Sequence, residues 1–193
     1  MTTDEPKADL GSIHEVPTRH LELPQTATTR ALDAFVRRVG DAVSWLWLGL
    51  VAIVVLNVLL RYAFGEGRIE FEEIQWHLYS IGLLVGLSYC VESDDHVRVD
   101  FLRRNMSLRL QAWVELYGIL LLLLPFIALV TIYSVPFIAH AFALGEVSAA
   151  PGGLPFRWLI KSALFAGFVL LATASVSRLI RVGAFLLGHE GGA

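Results

Sequence analysis

Four stretches of this chain are each apolar for about twenty residues, and that constraint leaves very few folds open. They run over about 43–64, 74–91, 110–135 and 158–182. Twenty residues at a 1.5 Å rise cross a hydrocarbon layer of about 30 Å. Hydrocarbon offers backbone N–H and C=O groups no partners, so each stretch must satisfy its own ladder as a helix. With 55% hydrophobic residues gathered in blocks across 193 positions, the class is integral membrane protein. The expected fold is an all-α integral membrane protein with four transmembrane helices.

The flanks carry the remaining organisation. Residues 1–30 hold Pro6, Pro17 and Pro24, many threonines and charges of both signs, with no periodicity, which predicts a disordered cytoplasmic tail. From Ala31 the pattern turns helical. Leu32, Phe35, Val36 and Val39 fall on one face, and Asp33, Arg37, Arg38 and Asp41 on the other. This reads as an N-terminal amphipathic interfacial helix, or as a plain extension of the first span. Asp33 and Arg37 stand four apart and can pair weakly. The loop 92–104 alternates charge with Val97, Val99, Phe101 and Leu102, a second surface-lying segment, and Ser107 can cap the third helix. Pro125 and Pro136 predict a kink in the third helix and a tail leaning along the surface. The membrane domain thus covers 31–187, with 188–193 as a C-terminal tail.

Lysines and arginines near the helix ends set the orientation. One side holds Arg30, Arg37, Arg38, Arg98, Arg103, Arg104, Arg109, Arg178 and Arg181, and the other Arg61, Arg68, Arg157 and Lys161. Nine against four places both termini and the 92–109 loop in the cytoplasm. Trp45, Trp47 and Trp113 then fall at the inner interface, and Trp76 and Trp158 at the outer one.

Intramembrane ionisable groups mark ion or substrate paths, and the middle of each span lacks them. Leu46–Leu60, Leu78–Cys90, Leu116–Val130 and Ser162–Ser177 carry no charge. No pair of Gly/Pro-broken helices builds a carrier site, and no H-E-x-x-H cluster exists for metal-dependent hydrolysis. The lone Cys90 excludes an internal disulfide. No basic patch with interleaved aromatics suggests nucleic acid. The reading is an accessory or scaffold subunit without enzymatic activity, cofactor or metal. The rival reading is a stand-alone four-helix electron carrier or sensor with a haem between His77 and His140.

The polar residues that remain form a collar on the outer side. Arg61 and Tyr62 close the first span, Gly65-Glu66-Gly67 turns the chain, and Glu70, Glu72 and Glu73 open the second beside Trp76. Arg61 is expected to pair with one of these acids and fix the hairpin; the other readings for the collar are contact with a partner protein and a direct role in substrate passage. Acids at a helix N-terminus are also favoured by the helix dipole whatever else they do.

The chain resembles the small membrane subunit of tripartite ATP-independent periplasmic (TRAP) transporters, the DctQ-like family, over roughly residues 31–182. The matching pieces are N-x-x-x-R-Y (Asn57, Arg61, Tyr62), the acids and tryptophan of the second helix (Glu72, Glu73, Trp76), and H-V-R-V-D-F with His96, Arg98 and Asp100. The last is E-x-S…P-G-G-L-P-x-R-W-x-x-K, with Glu146, Ser148, Gly152, Gly153, Arg157, Trp158 and Lys161. That final motif resembles the branch associated with mannitol/chloroaromatic compound transport. The resemblance implies an inner-membrane subunit that supports a large multi-spanning, sodium-coupled transport subunit, sits in lipid, and helps dock a periplasmic substrate-binding protein that delivers an organic anion. It places structural or partner-interface roles on those residues and no catalytic role on any.

Overall fold

The computed structural model describes residues 23–65, 67–94 and 106–188. The described residues form four helices long and apolar enough to cross a membrane: α1 (Ala27–Phe64), α2 (Ile69–Ser93), α3 (Leu108–Ala143) and α4 (Arg157–Leu186). No strand occurs among them.

Helix α1 begins four residues inside the stretch expected to be disordered. Thr26 accepts from the backbone N–H of Thr29, and the Thr29 hydroxyl receives the N–H of Thr26 at 2.9 Å. This reciprocal capping box satisfies two orphan donors at the helix start. From there α1 runs without a break to Gly65, whose φ of 69° caps it in the left-handed region that glycine tolerates. The amphipathic stretch 31–42 is therefore the first third of a 38-residue helix and not a separate interfacial element. Its buried face, Thr29, Asp33 and Val36, lies against the bundle.

Helix α4 is the central post. It packs against α1, α2 and α3, whereas α3 makes its main contacts with α4. The core reflects this: Phe168, Leu170, Leu171 and Ala174 of α4 meet Val36, Val91 and Ile127 from the other three helices. Small residues permit the close approaches that membrane helices need. A Cβ on Gly167 would stand 2.7 Å from Cβ of Leu84, and one on Gly82 would stand 3.0 Å from the Trp47 ring. Gly82 lies halfway along α2 between Glu72 and Glu92, and the Trp47 ring packs over it.

In α3, the segment Gly118–Leu123 is π-helical, and the Leu124 N–H reaches back five residues to Ile119. Pro125 follows at once. Proline has no N–H and its ring crowds the carbonyl four residues back, and the wider turn accommodates both defects. Pro136 sits inside a helix that continues to Ala143.

One end of the bundle is held by an ionic clasp that joins all four helices. Ser177 of α4 donates to Asp33 of α1 at 2.5 Å, and Arg181 lies 3.5 Å from the same carboxylate. Arg37 of α1 meets Glu92 of α2 at 2.7 Å. Arg178 of α4 hydrogen-bonds Glu115 of α3 and stands 2.8 Å from Asp94, just past α2. The Asp33–Arg37 pair expected from spacing does not form; Asp33 turns to Ser177 and Arg181 inside the bundle, and Arg37, itself largely exposed, reaches the buried carboxylate of Glu92. Arg178 is 5% exposed. Replacing one member of a buried pair strands the other charge, at a cost of about 3–5 kcal/mol. Arg178→Met is accordingly expected to lower unfolding stability by about that amount, measured by denaturant titration in detergent micelles.

Candidate functional site

The opposite end carries the residues singled out in the sequence, and most of them converge. Arg61, in the last turn of α1, reaches across the Gly65 turn to Glu72 at 2.5 Å. Its guanidinium also lies over Gly67, where a Cβ would stand 3.1 Å from Nε. The expected hairpin pair exists, and Glu72 is the acid that takes it. Both side chains are about half exposed, so in water such a pair would contribute at most about 1 kcal/mol. Tyr62 is 85% exposed and Trp76 75%, so both face away from the bundle.

Glu73, the neighbouring acid, turns the other way. One carboxylate oxygen accepts from the Ser148 hydroxyl and the other from the backbone N–H of Leu154 at 2.6 Å. Ser148 and Leu154 lie in the loop between α3 and α4, more than seventy residues on. That loop closes on itself: Ser148 N–H donates to Leu154 C=O at 3.2 Å, Gly153 N–H to Ala150 C=O at 3.0 Å, and Arg157 N–H to Glu146 C=O at 3.2 Å. The two glycines have separate reasons. Gly152 adopts φ 78°, a conformation that side chains resist. Gly153 has no room, since a Cβ would come within 2.4 Å of Cβ of Ser148 and 2.8 Å of Glu73 Oε1. The glycine pair thus lets the backbone press onto the carboxylate that holds it.

Lys161, one turn into α4, completes the arrangement. It pairs with Glu146 at 2.5 Å and stands 3.9 Å above the Phe137 ring. Glu146 is held below the usual carboxylate range, chiefly by the hydrogen bond from Lys161 and less by the charges of Lys161 and Arg157; burial opposes this. His77 places Nδ1 2.5 Å from the Glu73 carbonyl, one helical turn back. Among the described residues, no group of three or more His, Cys, Asp or Glu could hold a metal ion.

Two clusters therefore replace the single collar read from the sequence: Arg61–Glu72 on the α1–α2 side, and Glu73 with Glu146, Ser148, Gly152, Gly153, Arg157 and Lys161 on the α3–α4 side. In both clusters the carboxylates of Glu72, Glu73 and Glu146 are engaged by donors from the chain itself. His96, Arg98 and Asp100 lie outside the described residues. The clasp at the other end escaped the sequence reading altogether. Its members are scattered from Asp33 to Arg181, and only the signal of charged residues at four apolar-block boundaries pointed to it.

The matched pair of Glu73 and its loop makes a measurable expectation. Glu73→Gln puts an N–H₂ group against the Ser148 hydroxyl or the Leu154 N–H, and the loop should become more sensitive to limited proteolysis between 145 and 156. The Glu146 contribution has a definite pH sense. A depressed folded pKa stabilises above the unfolded carboxylate value, and the effect is lost as pH falls through the lower folded value. Acidification through that range should loosen the loop in the unmodified protein, and Glu146→Gln should remove that part of the pH response.

Residues 50–184 match the family described as tripartite ATP-independent periplasmic transporters, DctQ component. Comparisons with curated proteins and with solved structures give no match.

Proposed function

The chain belongs to the DctQ component family of tripartite ATP-independent periplasmic transporters, and from that membership we propose that it is the static accessory subunit of a sodium-coupled importer of organic anions. The family makes it the small membrane component of a tripartite transporter, a multi-pass membrane protein. The finer assignment rests on one observation: polar groups that could serve transport are tied to one another at the two ends, while the middle of every span carries no charge. A path for an ion or an anionic substrate needs polar groups available at mid-span. This chain offers a braced four-helix frame in their place.

In this reading a large multi-spanning subunit moves substrate and sodium, and the present chain enlarges and anchors its fixed part in the bacterial inner membrane. Both termini and the ionic clasp lie in the cytoplasm, following the excess of arginine there. The Arg61–Glu72 turn and the 145–157 loop face the periplasm. The loop is closed by its own hydrogen bonds and tied to Glu73, which suits a docking platform for the periplasmic binding protein. The P-G-G-L-P motif of that loop supports the branch carrying larger organic anions.

Purification of the tagged chain from its native membrane in mild detergent, with mass spectrometry of the co-purifying proteins, tests the assignment. A stoichiometric multi-spanning partner is expected. A protein that purifies alone would contradict it, and unchanged uptake after multiple substitutions in both periplasmic turns would remove the docking role.

A further inference from the structure

Asn57 lies one turn, about 6 Å, before Arg61 on the face of α1 that meets α2. It is 6% exposed, and its carbonyl oxygen is buried with no hydrogen-bond donor from the chain. The same residue forms part of the wall of a cleft of about 260 Å³ between α1 and α2. Arg61, Glu72, Gln75 and Trp76 line the rest, with Val54 and Val58. The half-exposed Arg61–Glu72 pair and the exposed Trp76 put this cleft at the bundle surface.

A polar cleft on a membrane-facing surface is poorly filled by acyl chains, which have no donors or acceptors. An amide oxygen left without a donor in such a setting costs of order 1–3 kcal/mol by protein mutational measures. The oxygen itself is closed off from the surface, so a donor entering the cleft reaches it only when the Asn57 side chain turns. Helix α1 is also the barest of the four spans, with 6% of its most apolar stretch buried against 33% for α4. A soluble protein docking above the ion pair does not reach a site one turn deeper. A transmembrane helix does.

We propose that the α1–α2 cleft receives a hydrogen-bond-donating side chain, a hydroxyl or an amide, from a transmembrane helix of the large subunit, with Asn57 as its acceptor. This rests on the accessory-subunit reading and names its point of contact. The terminal torsion of asparagine is soft, so rotation about it brings the carbonyl oxygen toward an entering donor. The N–H groups of Arg61 not engaged by Glu72 stand at the rim to receive a backbone or side-chain acceptor from the same helix.

The test uses the full chain co-expressed with the large subunit and compares Asn57→Leu, similar in size but apolar, with Leu121→Ala on the exposed face of α3. Two quantities are read: the large subunit retained per tagged chain in mild detergent, and the thermal midpoint of the chain alone. Asn57→Leu is expected to leave or raise the midpoint and to reduce retention about fivefold, the size of one interhelical hydrogen bond in a membrane. Leu121→Ala is expected to retain the partner. Unchanged retention in Asn57→Leu would overturn the proposal, assigning the cleft to water or lipid. A lowered midpoint would overturn it by showing that Asn57 is satisfied within its own chain, and equal loss in Leu121→Ala would show that the effect is not local. Failure of the unmodified chain to retain any partner would instead overturn the accessory-subunit reading itself.

Discussion

A charge placed among membrane helices must find its counter-charge or donor on another helix of the same bundle, because the surrounding hydrocarbon supplies neither. The arrangement of this chain follows from that requirement. Asp33, Glu92, Asp94 and Glu115 come from three different parts of the chain, and Arg37, Arg178 and Arg181, with the Ser177 hydroxyl, meet them at one level of the bundle. The contacts are directional, so they fix the rotation of each helix as well as its proximity. Apolar packing alone would not, since the lipid-facing and core-facing residues of α1 are chemically alike.

The opposite end is held differently. There the clamps are a turn and a loop. Arg61 and Glu72 close α1 onto α2, and Glu73 draws the α3–α4 connection down onto the start of α2. Lys161 and Glu146 then lock the same connection to α4. The two ends together leave the middle of the bundle to small residues and aliphatic packing, with Gly82 and Gly167 setting the distances between helices. Among the described residues the mid-span stretches carry no charged side chain, and the ionic contacts gather at the two ends.

Much of this was legible in the sequence, for physical reasons. Span number and position follow from hydrocarbon thickness, and the Arg61–acid pairing follows from a turn too short to separate them. The crowding of Ser148 and Gly153 onto Glu73 was not legible, because nothing in local spacing tells which of three adjacent acids turns inward. The clasp was hidden for the same reason: Asp33 and Arg37 satisfy a helical pairing rule, and only tertiary partners override it. Asp33, on the face of 31–42 that reads as interfacial, is instead taken by Ser177 of α4. In α3 the prolines were visible, but the π-turn that absorbs Pro125 was not.

The central claim is that this chain stays still while the transporter works. The direct measurement is the distance distribution between paired spin labels in the assembled transporter, in a Cys90→Ser background. One pair would join exposed Arg38 and Leu187 at the clasp end, and another Phe64 and Val147 at the other. The account predicts narrow distributions that do not change when substrate-loaded binding protein and sodium are added. A shift or a second population in either pair during turnover would contradict it, and would make the chain a moving part of the transport cycle.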